Sequence, residues 1–160
     1  MIKAVTLNVA IFVSVLLLAA PALADKHAQK RGTPAQAQAI VAKAVALFDK
    51  VGMKAAFDRF TNRPAPEFKH LDLYIFVLKA AEGARIVAHA QTRSLIGTNA
   101  STLIDPGGLN IGNAALAKAT AKGAWVDYGW KDPITGKVVP KSSWAVLHKG
   151  YIFGCGVHKP

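Results

Sequence analysis

Apolar residues recur along this chain with three different periods, and each period predicts a different element. From Val9 to Ala20 the run is continuous apart from Ser14, and it ends at Pro21 and the small-residue triplet Ala22-Leu23-Ala24. Further on, Ala37, Ile40, Val41, Ala44, Val45 and Phe48 recur at spacings of three and four, which marks one buried stripe on a helix running to about Lys50. Thr33 serves as its cap and Pro34 takes the first helical position, where a missing N–H costs nothing. Gly52 breaks the helix, and Met53 to Thr61 predicts a shorter one with Ala56, Phe57 and Phe60 on its buried side, closed by Asn62-Arg63-Pro64-Ala65-Pro66.

Beyond Pro66 the period shortens to two. Leu71 to Lys79 is rich in aromatic and β-branched residues and predicts a strand, which Glu82-Gly83 turns into a second strand over Arg85 to Ala90. Thr92 to Thr120 holds a loop punctuated by Gly97, Pro106, Gly107 and Gly108, then a helix from about Ile111 to Ala121 that Gly123 terminates. Three more strands follow: Ala124 to Lys131, Val138 to Lys149 and Tyr151 to His158. Short connections make neighbouring strands antiparallel, so the chain predicts an α+β domain with a five-stranded antiparallel sheet. The long N-terminal helix covers one sheet face, and the loop and helix of residues 92–122 enclose the other.

The first apolar run fits a cleavable signal peptide over residues 1–24. Lys3 supplies the positive end, and Ala22 and Ala24 satisfy the small-residue requirement for cutting before Asp25. Asn8 and Pro21 leave the run shorter than the ~20 residues of a membrane anchor. The remainder predicts a polar, flexible tail at 25–33 and a single domain at 34–160, exported to the periplasm or secreted, with no membrane span after cleavage.

Charge narrows the partners. The chain has 20 Lys and Arg against nine Asp and Glu, a formal charge of +11, which favours anionic partners. The lysines are scattered singly, as at Lys43, Lys54, Lys79 and Lys118, without the clustered stripe of a nucleic-acid-binding face, so nucleic acid is not an expected partner. Cys155 is the sole cysteine, so no internal disulfide forms; alternation places it beside Phe153 and Val157 as a buried thiol. No nucleophile, metal or phosphate-loop motif occurs and the histidines show no ligand-like spacing, so neither catalysis nor a cofactor is expected.

What remains is a concentration of aromatics and one cation in the C-terminal half. On strands, Val126, Tyr128 and Trp130 share a face, as do Lys141, Ser143 and Ala145, and as do Tyr74 and Phe76. Aromatic walls around a polar donor and a cation suit a small anionic ligand, because excluding water strengthens the charge contact. Spacing alone leaves the alternative open that these rings are ordinary core.

Four sets of stretches follow one another between Leu71 and Val157: Leu73-Tyr74-Ile75-Phe76-Val77 with Ile86-Val87-Ala88-His89, Leu95-Ile96-Gly97-Thr98-Asn99 with Leu103-Ile104-Asp105-Pro106-Gly107-Gly108, Gly123 to Trp130 with Lys131-Asp132-Pro133, and Pro140-Lys141-Ser142-Ser143-Trp144 with Gly154-Cys155-Gly156-Val157. In this order they resemble the type 2 single Cache domain, a PAS-like extracytoplasmic sensor module. The resemblance implies a pocket for a small organic molecule, often a short carboxylate. His89, Tyr128, Trp130 and Lys141 become its ligand-binding candidates, Tyr74 and Phe76 its lining, and Lys141 the carboxylate contact. His158 departs from the pattern, standing where the family often ends its last strand on an aromatic. Members are commonly fused to signalling domains, so the resemblance implies a periplasmic binding module working with a separate membrane receptor, kinase or transport partner. The alternative is a structural or protein-interaction domain that keeps the fold without a ligand.

Overall fold

A computed structural model describes residues 30–159; the segment 1–24 expected to be a signal peptide lies outside these. Helix α1 (Pro34–Val51) starts in a capping box: Thr33 Oγ1 accepts from Gln36 N, and Gln36 Oε1 accepts from Thr33 N. Its buried face is Ala37, Ile40, Val41, Ala44 and Phe48, with Val45 at the margin. Gly52, at φ +78°, separates it from α2 (Met53–Thr61), which buries Ala56 and Phe60.

The segment expected as one strand over 71–79 is two. Leu71 takes a positive φ, and Lys69–His70 (β1) pairs with Leu73–Tyr74 (β2) in a small hairpin before Phe76–Lys79 (β3) enters the main sheet. A single distorted turn, α3 (Ala81–Ala84), leads to β4 (Arg85–His89). Helix α4 (Ile111–Lys118) ends three residues earlier than its periodicity suggests, because Thr120 bridges to Val146, just past the last residue of that strand paired by its edge neighbour. Strands β5 (Ala124–Lys131), β6 (Val138–His148) and β7 (Tyr151–His158) complete the chain. Lys149 and Gly150, both at positive φ, make the tight turn between the last two, so β6 stops at His148.

The main sheet is antiparallel, five-stranded and ordered β4-β3-β7-β6-β5. The C-terminal strand therefore lies at its centre, a position that chain order alone does not give. Centrality explains its burial: Ile152 to His158 are all buried. Phe153, Cys155 and Val157 face the α1–α2 layer, while Ile152 packs in a second cluster with Leu78, Ile86, Ala115, Val126 and Ala145 on the opposite face.

The polar stretch expected to fray is held at its C-terminal end. The Arg31 guanidinium pairs with Asp132 at 2.7 Å and Asp72 at 3.2 Å, and Asp72 also accepts from Gly32 N at 2.7 Å. Both aspartates are fully buried, so this ion pair ties the start of α1 to the β1–β2 hairpin and to the β5–β6 loop.

Candidate functional site

Between the sheet and the segment 92–118 lies a cavity of about 40 Å³. One water needs roughly 10–15 Å³, so there is room for a few waters or a few non-hydrogen atoms of a ligand. All six residues singled out in the sequence, Tyr74, Phe76, His89, Tyr128, Trp130 and Lys141, line it.

Register explains the gathering. Tyr128 lies opposite Lys141, and Val126 opposite Ser143, so the inward faces of β5 and β6 coincide. Phe76 lies opposite His89 across β3 and β4. Ile86 and His89 are three residues apart, and strict alternation would put them on opposite faces. A bulge at Val77/Leu78 shifts the register, with Leu78 opposite Ile86 and Val77 opposite Ala88, and brings both to the cavity.

Two glycines of β7 make the floor. A Cβ on Gly154 would stand 2.2 Å from the Phe76 ring, and one on Gly156 would meet Ser143 Oγ at 2.2 Å and Lys141 Cε at 2.7 Å. The Phe76 ring and the Lys141 chain thus lie flat on a strand that has no side chains there. Their sequence signal is the Gly-Cys-Gly alternation at 154–156.

The lid is anchored by Asp105. Its carboxylate accepts from Gly107 and Leu109 in its own loop and from Gly129 of β5 at 2.7 Å, clamping the loop to the sheet edge; these bonds hold its pKa below the ordinary value. Gly112 lets α4 press on the 3₁₀ turn Ala100–Thr102, since a Cβ there would come within 2.3 Å of Ser101 N. Leu103, Ile111 and Ala115 then close the cavity from above.

The wall is apolar except for a few donors. Lys141 is 1% exposed; its Nζ donates to Tyr74 Oη at 2.6 Å and sits 3.9 Å from that ring's centroid and 5.9 Å from that of Phe76. No carboxylate pairs with it among the described residues. Burial pushes its pKa down to about 7, against the weaker pull of Cys155, Asp72 and Asp132. His89 is driven to about 3, first by burial and then by Lys141, so the ring is neutral. Its Nδ1 accepts from Thr92 N at 2.9 Å and Gln91 N at 3.3 Å, which assigns the proton to Nε2. Tyr128 Oη and Ser143 Oγ share a hydrogen bond at 2.8 Å, and burial raises the Tyr128 pKa.

Beside the cavity, His158 lies opposite Lys141 on β7 with its Nδ1 3.4 Å from Asp72. Its side chain is fully buried, neither nitrogen has a well-formed hydrogen bond, and burial lowers its pKa to about 4. Nothing in the sequence groups Arg31, Asp72, Asp132 and His158, which come from four separate segments. Cys155 faces away from the cavity, and burial pushes its thiol up to about 12.

A five-stranded antiparallel sheet, an N-terminal helix on one face and a pocket roofed by a long loop on the other define a PAS-like α+β fold. The sequence matches the family model for single Cache domain 2 over residues 18–156, and the chain belongs to that family. Among the curated proteins none matches it. Several solved structures share the fold. A methyl-accepting chemotaxis protein from Vibrio parahaemolyticus RIMD 2210633 superposes with a TM-score of 0.64 at 19% identity, covering 78% of this chain and 86% of that one. A periplasmic sensor domain of a chemotaxis protein gives 0.58 at 21%, covering 77% and 88%. A Cache chemosensory domain for which a structural basis of carboxylic acid recognition is described gives 0.56 at 22%, covering 76% and 84%.

Proposed function

We propose that this protein is an exported sensor module that binds a short organic carboxylate in the cavity under the 92–118 segment and passes the bound state to a separate receptor, kinase or transport partner. One observation supports it above the others: Lys141, a buried cation without a carboxylate partner among the described residues, lines a cavity whose wall is mostly apolar, with Phe76, Leu78, Ile86, Leu103, Ile111 and Ala115 among its lining. A buried charge is costly unless something compensates it, and a ligand carboxylate would do so. The neutral His89 Nε2–H and the Tyr128–Ser143 pair would donate to its oxygens, while the small volume favours acids of two or three carbons. The signal-peptide pattern of residues 1–24 and the family's sensor character support export.

Thermal unfolding of the purified protein with acetate, propionate and, as a control, a neutral amide of the same size tests this. The acids should stabilise, by about 2.7 kcal/mol at a hundredfold excess over Kd, and the amide should not. Equal stabilisation by acid and amide would remove the charge contact.

A further inference from the structure

We propose that Lys141 Nζ is also a nucleophile, and that the cavity captures small 2-oxo carboxylates by reversible imine formation at this nitrogen. The proposal rests on the reading that the cavity takes a short carboxylate and adds a covalent bond to it.

An amine attacks a carbonyl only through its unprotonated form, and the imine survives where water is scarce. Lys141 meets both conditions. It is 1% exposed, its one side-chain hydrogen-bond partner among the described residues is the Tyr74 phenol, and the neighbouring Tyr74 and Phe76 ring faces are apolar. The titratable groups nearest it are Tyr74 on β2, His89 on β4, Tyr128 on β5 and His158 on β7, with Cys155 acting from the other face of β7. Asp72 and Asp132 act from further away and already hold Arg31. Burial depresses the amine's pKa to about 7, so near neutral pH a large share is free base. An exposed lysine has roughly a thousandfold smaller free fraction there.

The step balances without any other reagent. The Nζ lone pair forms a bond to the ligand's carbonyl carbon, the C=O π pair moves onto oxygen, and a proton passes from nitrogen to that oxygen, giving a carbinolamine. Expulsion of the hydroxyl as water leaves C=N. Tyr74 Oη, 2.6 Å from Nζ, is placed to lend the proton that the leaving hydroxyl needs and to recover it from the nitrogen. With Lys141 in the imine, the ligand's carboxylate falls to His89 Nε2–H and to the Tyr128–Ser143 pair, which has two hydroxyl protons and uses one internally.

The test treats the protein with pyruvate and cyanoborohydride near neutral pH, the borohydride reducing any imine to a stable carboxyethyl amine, followed by peptide mapping. The expected result is one carboxyethyl group concentrated on Lys141, exceeding any other lysine by about tenfold or more, as its larger free-amine fraction demands. Excess acetate should suppress that label, and Lys141→Arg should abolish it; the acetate arm needs no variant to fold. Label spread over exposed lysines without excess at Lys141 overturns the proposal. So does an unlabelled Lys141 in a protein that acetate and pyruvate still stabilise, a result that leaves the carboxylate reading standing. Labelling of Lys141 with no stabilisation by acetate upholds imine capture and removes the Lys141 ammonium as the non-covalent carboxylate contact.

Discussion

Lys141 and Tyr74 are 67 positions apart in sequence, yet Lys141 Nζ donates to the Tyr74 hydroxyl at 2.6 Å inside the protein. The two sit on opposite sides of the central strand β7, and the missing side chain of Gly156 lets the lysine reach across it. Removing the amine while keeping the volume isolates its role. Lys141→Met should fold, because a buried amine carries a desolvation cost that methionine lacks, and should weaken acetate binding by about 10- to 150-fold, the equivalent of a charge-assisted hydrogen bond of about 1.5–3 kcal/mol. Calorimetric titration and the unfolding midpoint together read this; unchanged affinity would take Lys141 out of the site.

Stability should depend on pH through Lys141. Its folded pKa of about 7 lies below the ordinary 10.5, so between these values the unfolded chain holds a proton that the folded chain does not. Unliganded stability therefore rises as pH increases from 7 towards 10.5, and Lys141→Met should lose this slope. Carboxylate affinity has the opposite trend, falling by about tenfold per pH unit above 7 as the ammonium is lost. His89 adds an acid limb: with its folded pKa at about 3 against 6.5, stability falls as pH drops through that window.

Gly156→Ala should harm the site more than the fold. Its Cβ would overlap Ser143 Oγ and Lys141 Cε, so the lysine must lift off the strand. Overpacking of this kind costs about 1–3 kcal/mol. Loss of acetate binding with only that decrease in unfolding free energy is the expected pattern, and intact affinity would mean that Lys141 does not need the floor.

Arg31→Ala should destabilise strongly, by about 3 kcal/mol, because it leaves the carboxylates of Asp72 and Asp132 buried without their cation. The Arg31 hydrogen bond holds Asp132 well below its usual 3.8, so wild-type stability from this pair is present above pH 4 and lost as acid protonates Asp132. The variant should show a shallower acid limb in chemical denaturation. A loss below about 0.5 kcal/mol, the level of a surface substitution, would mean that the segment before α1 is not held by this pair.

Mass spectrometry of the exported protein should find Asp25 as the first residue, from the small residues Ala22 and Ala24 before it. Retention of Met1 in exported material would contradict the signal-peptide reading.

Local pattern was enough for much of the fold. The α1 stripe and its Thr33 cap, the turns at Gly52 and Lys149-Gly150, and the alternation along β5 to β7 are set by residues adjacent in sequence, whose spacing fixes which side chains share a face. The inward faces of β5 and β6 followed from that alternation, and the resemblance added His89. Alternation and resemblance together therefore name six residues that line the cavity.

Tertiary structure decided the rest, wherever partners are distant in sequence. The central place of β7 depends on β3 pairing with it rather than with a neighbour in chain order, and that pairing makes Gly154 and Gly156 the cavity floor. The break at Leu71 overrides the two-residue period where buried Asp72 is held by Arg31 from a stretch that reads as a loose tail, and the bulge in β3–β4 overrides it between Ile86 and His89. Hydrophobic period reports which face a residue takes, but it carries no information about which strand lies beside it. The state of Lys141 belongs to that second kind of fact: a lysine becomes a weakly basic amine only when several remote segments together remove it from water.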